Sequence, residues 1–171
     1  HKDVNAIKAW AKSRGYESRL LNAVLDINDD QAIHIIDIAE ELVGDLKGKR
    51  ITLLGLAFKP GTDDMRNAPS TRVVNELRKR GYTDIIGYDP VAKETASKVF
   101  GDSIEYANSI EEALKNSEMA LLITEWDEFK KLTPTDFKEY MKLPNLVDGR
   151  IIYPFEEFKK ELNFNSIGRT Q

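Results

Sequence analysis

Between residues 3 and 47 the apolar positions recur at three- and four-residue spacing: Val4, Ile7 and Ala11, then Leu20, Leu21, Val24 and Ile27, then Ile35, Ile38, Ala39 and Leu42. That period predicts helix and no strand. Gly15 interrupts it and Ser18 offers a cap, so a short helix should precede a long one running from Ser18 to about Asp45. So long a helix must lay its apolar stripe either on its own domain or on another domain or subunit. From Lys49 onward the pattern changes. Short β-rich apolar runs occur at residues 51–56, 84–88, 104–106, 119–124, 145–147 and 164–167, separated by helical patterns at 70–80, 92–100, 110–116, 135–141 and 155–162. Strand and helix in strict alternation, with short connections, imply a parallel sheet with right-handed crossovers, covered on both faces. The expected fold is α/β: a Rossmann-like three-layer domain with a parallel sheet over residues 48–171, preceded by a helical arm over residues 1–47. Neither an internal repeat nor a low-complexity segment is visible.

Composition narrows the function. At 171 residues and a formal charge of −4, the chain can bury one core and carry an appendage, but it lacks the basic surplus of a sequence-independent nucleic-acid binder. It contains no cysteine, which excludes disulfides, Cys–metal sites and thiol catalysis within these residues. The two histidines, His1 and His34, lie far apart in sequence and suggest neither a metal site nor a catalytic triad, so no metal is expected. No apolar run approaches the roughly 20 residues that span a bilayer, and no signal pattern opens the chain. A soluble, cytoplasmic protein without a membrane partner is expected. The first residue is His1 rather than Met, which fits a start inside a longer protein or after a cleaved tag.

In an open parallel sheet, ligands bind beyond the carboxyl ends of the strands. The residues falling there are 57–66, Asp89 and Pro90, 125–127, and 148–150. Lys59 offers a phosphate a compact positive charge, and Arg150, after the turn-forming Gly149, offers a planar fork. Convergence of the two on one crevice favours an anionic ligand. Asp63 and Asp64 would oppose such a ligand by charge, so they and Arg66 are read as bracing the loop, one aspartate capping the next helix or pairing with Arg66. Asn67 and Pro69 suit the first turn of that helix, whose free amides are a second potential anion site. Asp89 stands where a dinucleotide-binding domain keeps its ribose ligand. The glycine fingerprint is absent, however, because residues 55–61 read GLAFKPG, so a standard NAD site is not expected. Trp126 could cover a ligand or pack at the strand end; packing is the expectation.

These residues also carry a resemblance. GLAFKPGTDDMR at 55–66, followed by APS at 68–70, YDP at 88–90, TEW at 124–126 and DGR at 148–150, closely resembles the C-terminal third of the UDP-glucose/GDP-mannose dehydrogenase family, in order and in spacing. The resemblance covers nearly the whole chain. It implies that residues 48–171 form a nucleotide-sugar-binding domain and that residues 1–47 are the end of a central helical region whose long helix builds a homodimer. It also implies that the NAD-binding domain belongs to a part of the protein outside this chain. The family reaction is a two-step oxidation of a sugar C6 alcohol to a carboxylate with two NAD+, through a thiohemiacetal and a thioester on a cysteine. Lys2 and Asp3 match the end of the family's Cys-x-x-Lys-Asp pattern, which would place the cysteine two positions before His1. By the same carry-over Asp3 would help activate water, while Phe58, Lys59 and Arg150 would contact the substrate.

Three readings remain open. The first is the C-terminal part of a nucleotide-sugar 6-dehydrogenase, acting on UDP-glucose in preference to GDP-mannose or a UDP-N-acetylhexosamine, which binds substrate but does not catalyse by itself. The second is a dimerisation and assembly module. The third, an NAD-binding domain, is disfavoured by the missing fingerprint.

Overall fold

The computed structural model describes residues 2–169; His1, with its unexplained origin, lies outside them. The arm consists of α1 (Lys2–Ser13) and α2 (Arg19–Val43). Ser18 occupies the N-cap of α2 without a side-chain cap bond, so the expected capping is not made, and Gly44 ends the helix at φ 74° with its N–H donated to the Glu40 carbonyl. The remaining elements are β1 (Ile51–Leu54), α3 (Pro69–Lys79), β2 (Ile85–Tyr88), α4 (Lys93–Phe100), β3 (Glu105–Tyr106), α5 (Ile110–Leu114), β4 (Met119–Leu122), α6 (Pro134–Tyr140), β5 (Asn145–Asp148), α7 (Phe155–Glu161) and β6 (Asn163–Ser166).

All strand pairings are parallel, and the sheet order is β3-β2-β1-β4-β5-β6. The order reverses between β1 and β4, which opens a crevice above their carboxyl ends. Alternate residues of each strand enter opposite layers. Ile51, Leu53, Met119, Leu121 and Val147 pack with Ile35, Ile36, Ile38 and Ala39 of α2 and Val73, Val74 and Leu77 of α3. Leu54, Ala120, Leu122 and Leu146 pack on the other face with Phe137 of α6 and Phe158 of α7. The second half of α2 therefore belongs to the core of the sheet domain. No helix among the described residues is long and apolar enough to cross a membrane.

Two strands stop two residues short of the apolar runs that announce them. β1 was expected to reach residue 56, yet the N–H groups of Leu56 and Ala57 leave the ladder and donate to the Asp89 carboxylate at 2.8 and 3.0 Å. β4 was expected to reach residue 124, but Thr124 crosses so close to Gly55 that a Cβ there would lie 2.5 Å from the threonine Cβ. Gly55 takes φ 90° at this crossing, a conformation that glycine adopts without cost. Side-chain acceptors and close crossings end these strands while hydrophobicity continues.

Candidate functional site

Two loops face the crevice, and each is held by one buried aspartate. After β5, the fully buried Asp148 accepts four backbone N–H groups: Arg150 and Ile151 donate to Oδ1 at 2.8 Å each, Ile152 and Tyr153 to Oδ2 at 2.8 and 3.0 Å. A carboxylate so saturated fixes the loop, to the point that Ile151 is held at φ 56° with its side chain in solvent. Gly149 is obligatory, because a Cβ there would lie 2.6 Å from the Leu122 carbonyl oxygen and 2.8 Å from Ile35 Cδ1. Arg150 is thereby presented at the crevice. Its Nε and Nη2 donate to the two oxygens of Glu125 at 2.6 and 2.8 Å. Burial pushes the Glu125 carboxyl up, but the hydrogen bonds and charge of Arg150 more than offset this and hold it below the usual glutamate range.

The β1–α3 loop is organised from outside itself. Asp89, at the end of β2, accepts Leu56 and Ala57 N–H together with Trp126 Nε1 at 3.0 Å on Oδ2, and Val91 and Ala92 N–H on Oδ1 at 3.1 and 2.9 Å. Both oxygens are in use, so Asp89 is a structural clasp with no acceptor to spare for a ribose. Trp126 is half-buried and packs against the aromatic layer, as expected for a strand-end aromatic, while its ring N–H closes the clasp. Within the loop, Phe58 N–H donates to the Asp64 carbonyl at 2.9 Å, and Gly61 turns the chain at φ 77°. Arg66 donates from its backbone N–H and Nε to Asp64 Oδ1, both at 2.9 Å, and from Nη2 to Oδ2 at 2.7 Å. The Arg66 hydrogen bonds, backed by the charges of Arg66 and Lys59, draw the Asp64 carboxyl down to about 2. Asp63 is exposed, and its carbonyl accepts Thr95 Oγ1 at 2.8 Å.

Between these loops lies a cleft of about 290 Å³. Its walls come from Phe58, from Asn67, Pro69 and Arg72 at the start of α3, from Gly149 and Arg150, and from Asn28, Gln31 and Ile35 on α2. Of the residues singled out from the sequence, the structure brings Phe58, Asn67, Pro69, Gly149 and Arg150 together here. Phe58 is 45% exposed where it lines the cleft, so apolar surface is available there to a ligand. Lys59 is exposed within the β1–α3 loop and does not line the cleft, and Asp3 sits exposed in the first turn of α1, also outside it. The α2 wall and Arg72 were missed by the sequence reading. The signal for the α2 wall was a polar interruption in its stripe at residues 28–31, which periodicity alone cannot aim; Arg72 had none. Among the described residues there is no group of three or more His, Cys, Asp or Glu able to hold a metal ion.

Comparison with known proteins assigns this architecture. The family model described as UDP-glucose/GDP-mannose dehydrogenase family, UDP binding domain, matches residues 52–154. The UDP-glucose 6-dehydrogenase TuaD of Bacillus subtilis is 36% identical over 98% of this chain and 36% of its own length. The UDP-glucose 6-dehydrogenase AglM of Haloferax volcanii is 46% identical over 88% of this chain and 34% of its own. A solved UDP-glucose dehydrogenase from Pyrobaculum islandicum superposes with a TM-score of 0.81 at 30% identity, over 98% of this chain and 36% of that one. The chain thus spans about a third of the length of the relatives it matches. With its sheet order, its loop sequences and this match in agreement, the chain belongs to the UDP-glucose/GDP-mannose dehydrogenase family, whose UDP-binding domain it contains.

Proposed function

We propose that this chain is the nucleotide-sugar-binding, C-terminal part of a UDP-glucose 6-dehydrogenase, the whole protein converting UDP-glucose to UDP-glucuronate with NAD+. The names of the relatives support the substrate. The observation that carries the site is the placement of Arg150 and Phe58 on one cleft at the reversal of strand order. Arg150 supplies directional donors and Phe58 an apolar face for a base or sugar ring. Lys59, next to Phe58 in the same loop but outside the cleft lining, is assigned a longer-range positive charge for the nucleotide, and Asp3 is assigned to orient water at a reaction centre completed by the rest of the protein. The residues of this chain do not suit NAD: Asp89 is saturated, and Leu56 and Phe58 stand where a pyrophosphate needs glycine. The cofactor is therefore assigned to another part of the protein.

Calorimetric titration with UDP and UDP-glucose tests the proposal. The chain is expected to bind both, and Arg150→Ala to weaken binding by roughly tenfold, the worth of a lost charge-assisted hydrogen bond. No binding by the parent chain would refute the assignment.

The arm favours a second role within the same protein. Ile7, Trp10, Tyr16, Leu20, Val24 and Ile27 are all exposed, Leu20 at 76%. A row of this kind at helical spacing is a surface for a second copy, making the protein a homodimer through α2. Light scattering should give a concentration-dependent mass; a monomer at all concentrations would exclude this role.

A further inference from the structure

Glu125 stands at the carboxyl end of β4, beside the cleft without lining it, and the side-chain partner found for its carboxylate is Arg150. A guanidinium carries five N–H donors in one rigid plane. The fork to Glu125 uses Nε and one Nη2 proton, leaving the edge formed by Nη1 and the second Nη2 proton. The other end of the residue is also fixed, because the Arg150 backbone N–H donates to Asp148 at 2.8 Å. Arg150 is pinned at both ends.

Had the cleft been selected for negative charge alone, a carboxylate bonded to its arginine would be a defect, since it cancels the attraction and repels the ligand. The same carboxylate is useful where geometry must decide. We propose that Glu125 is a positioning residue for ligand recognition: it holds the free edge of Arg150 toward the cleft and balances its charge, so that the site selects a nucleotide by hydrogen-bond geometry over simple anions. The proposal rests on the reading above that Arg150 meets the nucleotide. It makes selectivity, more than affinity, the property that Glu125 confers.

The test compares UDP with inorganic pyrophosphate, which shares the charge but offers no base or ribose. Both are titrated into the unmutated chain, Glu125→Gln and Arg150→Ala, with thermal melts to verify folding. Glu125→Gln frees charge on Arg150 and loosens its plane, so pyrophosphate should bind more tightly, UDP no better, and the ratio of the two affinities should fall by roughly tenfold. A purely structural role would weaken both ligands together and leave the ratio unchanged; that result overturns the proposal. If Arg150→Ala leaves UDP binding intact, the site assignment itself fails. If Arg150→Ala weakens UDP while the Glu125→Gln ratio is unchanged, only the role of Glu125 fails. The unmutated chain gives an independent reading: the Arg150 Nε–H NMR signal should remain slowly exchanging when UDP binds. Its loss on UDP addition would show the ligand taking the arginine from Glu125 and would overturn the proposal.

Discussion

The two loops that border the cleft are each anchored by a buried aspartate, and the anchors work over different ranges. Asp148 serves four of the five residues that follow it, collecting the N–H groups of residues 150 to 153. Asp89 reaches back 33 residues to Leu56 and forward 37 to Trp126, joining the ends of β2, β1 and β4. The first is a local nest whose geometry is set by its own segment. The second is a junction that exists only once the sheet is assembled. Arg150 therefore rides on a loop with its own frame, whereas Phe58 rides on one whose shape depends on the order of the strands.

Removing each anchor should separate the two designs. Asp148→Ala strips the acceptors from four backbone donors at a fully buried position and is expected to cost about 3–5 kcal/mol in urea denaturation, the largest effect in this region. In the variant's native state, accelerated amide exchange should stay within residues 150–153. Asp89→Ala is expected to cost less, about 2–4 kcal/mol, because some of its donors can reach water. Its exchange footprint should be dispersed over Leu56, Ala57, Val91 and Ala92, with a shift in Trp126 fluorescence. A confined footprint for Asp89, or a dispersed one for Asp148, would break the comparison. Gly149→Ala comes next, with an expected cost of about 1–3 kcal/mol as the loop backs away from the Leu122 carbonyl and Ile35, measured by thermal unfolding.

The smallest effect is electrostatic and sits on the exposed clasp of the β1–α3 loop. Asp64 is depressed from 3.8 to about 2 by Arg66, so the clasp is fully formed above the ordinary value and is lost as pH falls through the lower one. The Asp64 carboxyl carbon should titrate near the lower value by NMR, and Arg66→Ala should move it back toward the ordinary one. An unchanged midpoint in Arg66→Ala would show that Arg66 does not hold the loop.

This contrast also explains what could be read from the sequence. Helical and strand periods announced every element, because burial on alternate faces is written in the residues themselves. The Asp64–Arg66 clasp, two positions apart, was legible for the same reason: its partners are local. The need for glycine at 149 comes instead from the close approach of Leu122 and Ile35, both remote in sequence. Asp89 was misleading, since an acid after the second strand resembles a ribose ligand, and nothing at residues 56 and 57 advertises that their N–H groups need an acceptor. The fork of Arg150 on Glu125 joins residues 25 apart, and the contribution of Asn28 and Gln31 depends on how α2 lies across the sheet. Both are tertiary facts. The ends of β1 and β4 were overextended because side-chain acceptors and a close crossing, rather than a loss of hydrophobicity, terminate them.

The central claim is that the cleft between these loops holds a uridine nucleotide on the Arg150 side. Mapping backbone amide shifts during a UDP titration tests it most directly. The account expects the largest changes at Phe58 and at Gly149, Arg150 and Ile151, saturating together, with little change at Val91 and Ala92 behind the Asp89 clasp. Changes concentrated at Leu56, Asp89, Val91 and Ala92, or none at residues 149–151, would contradict it.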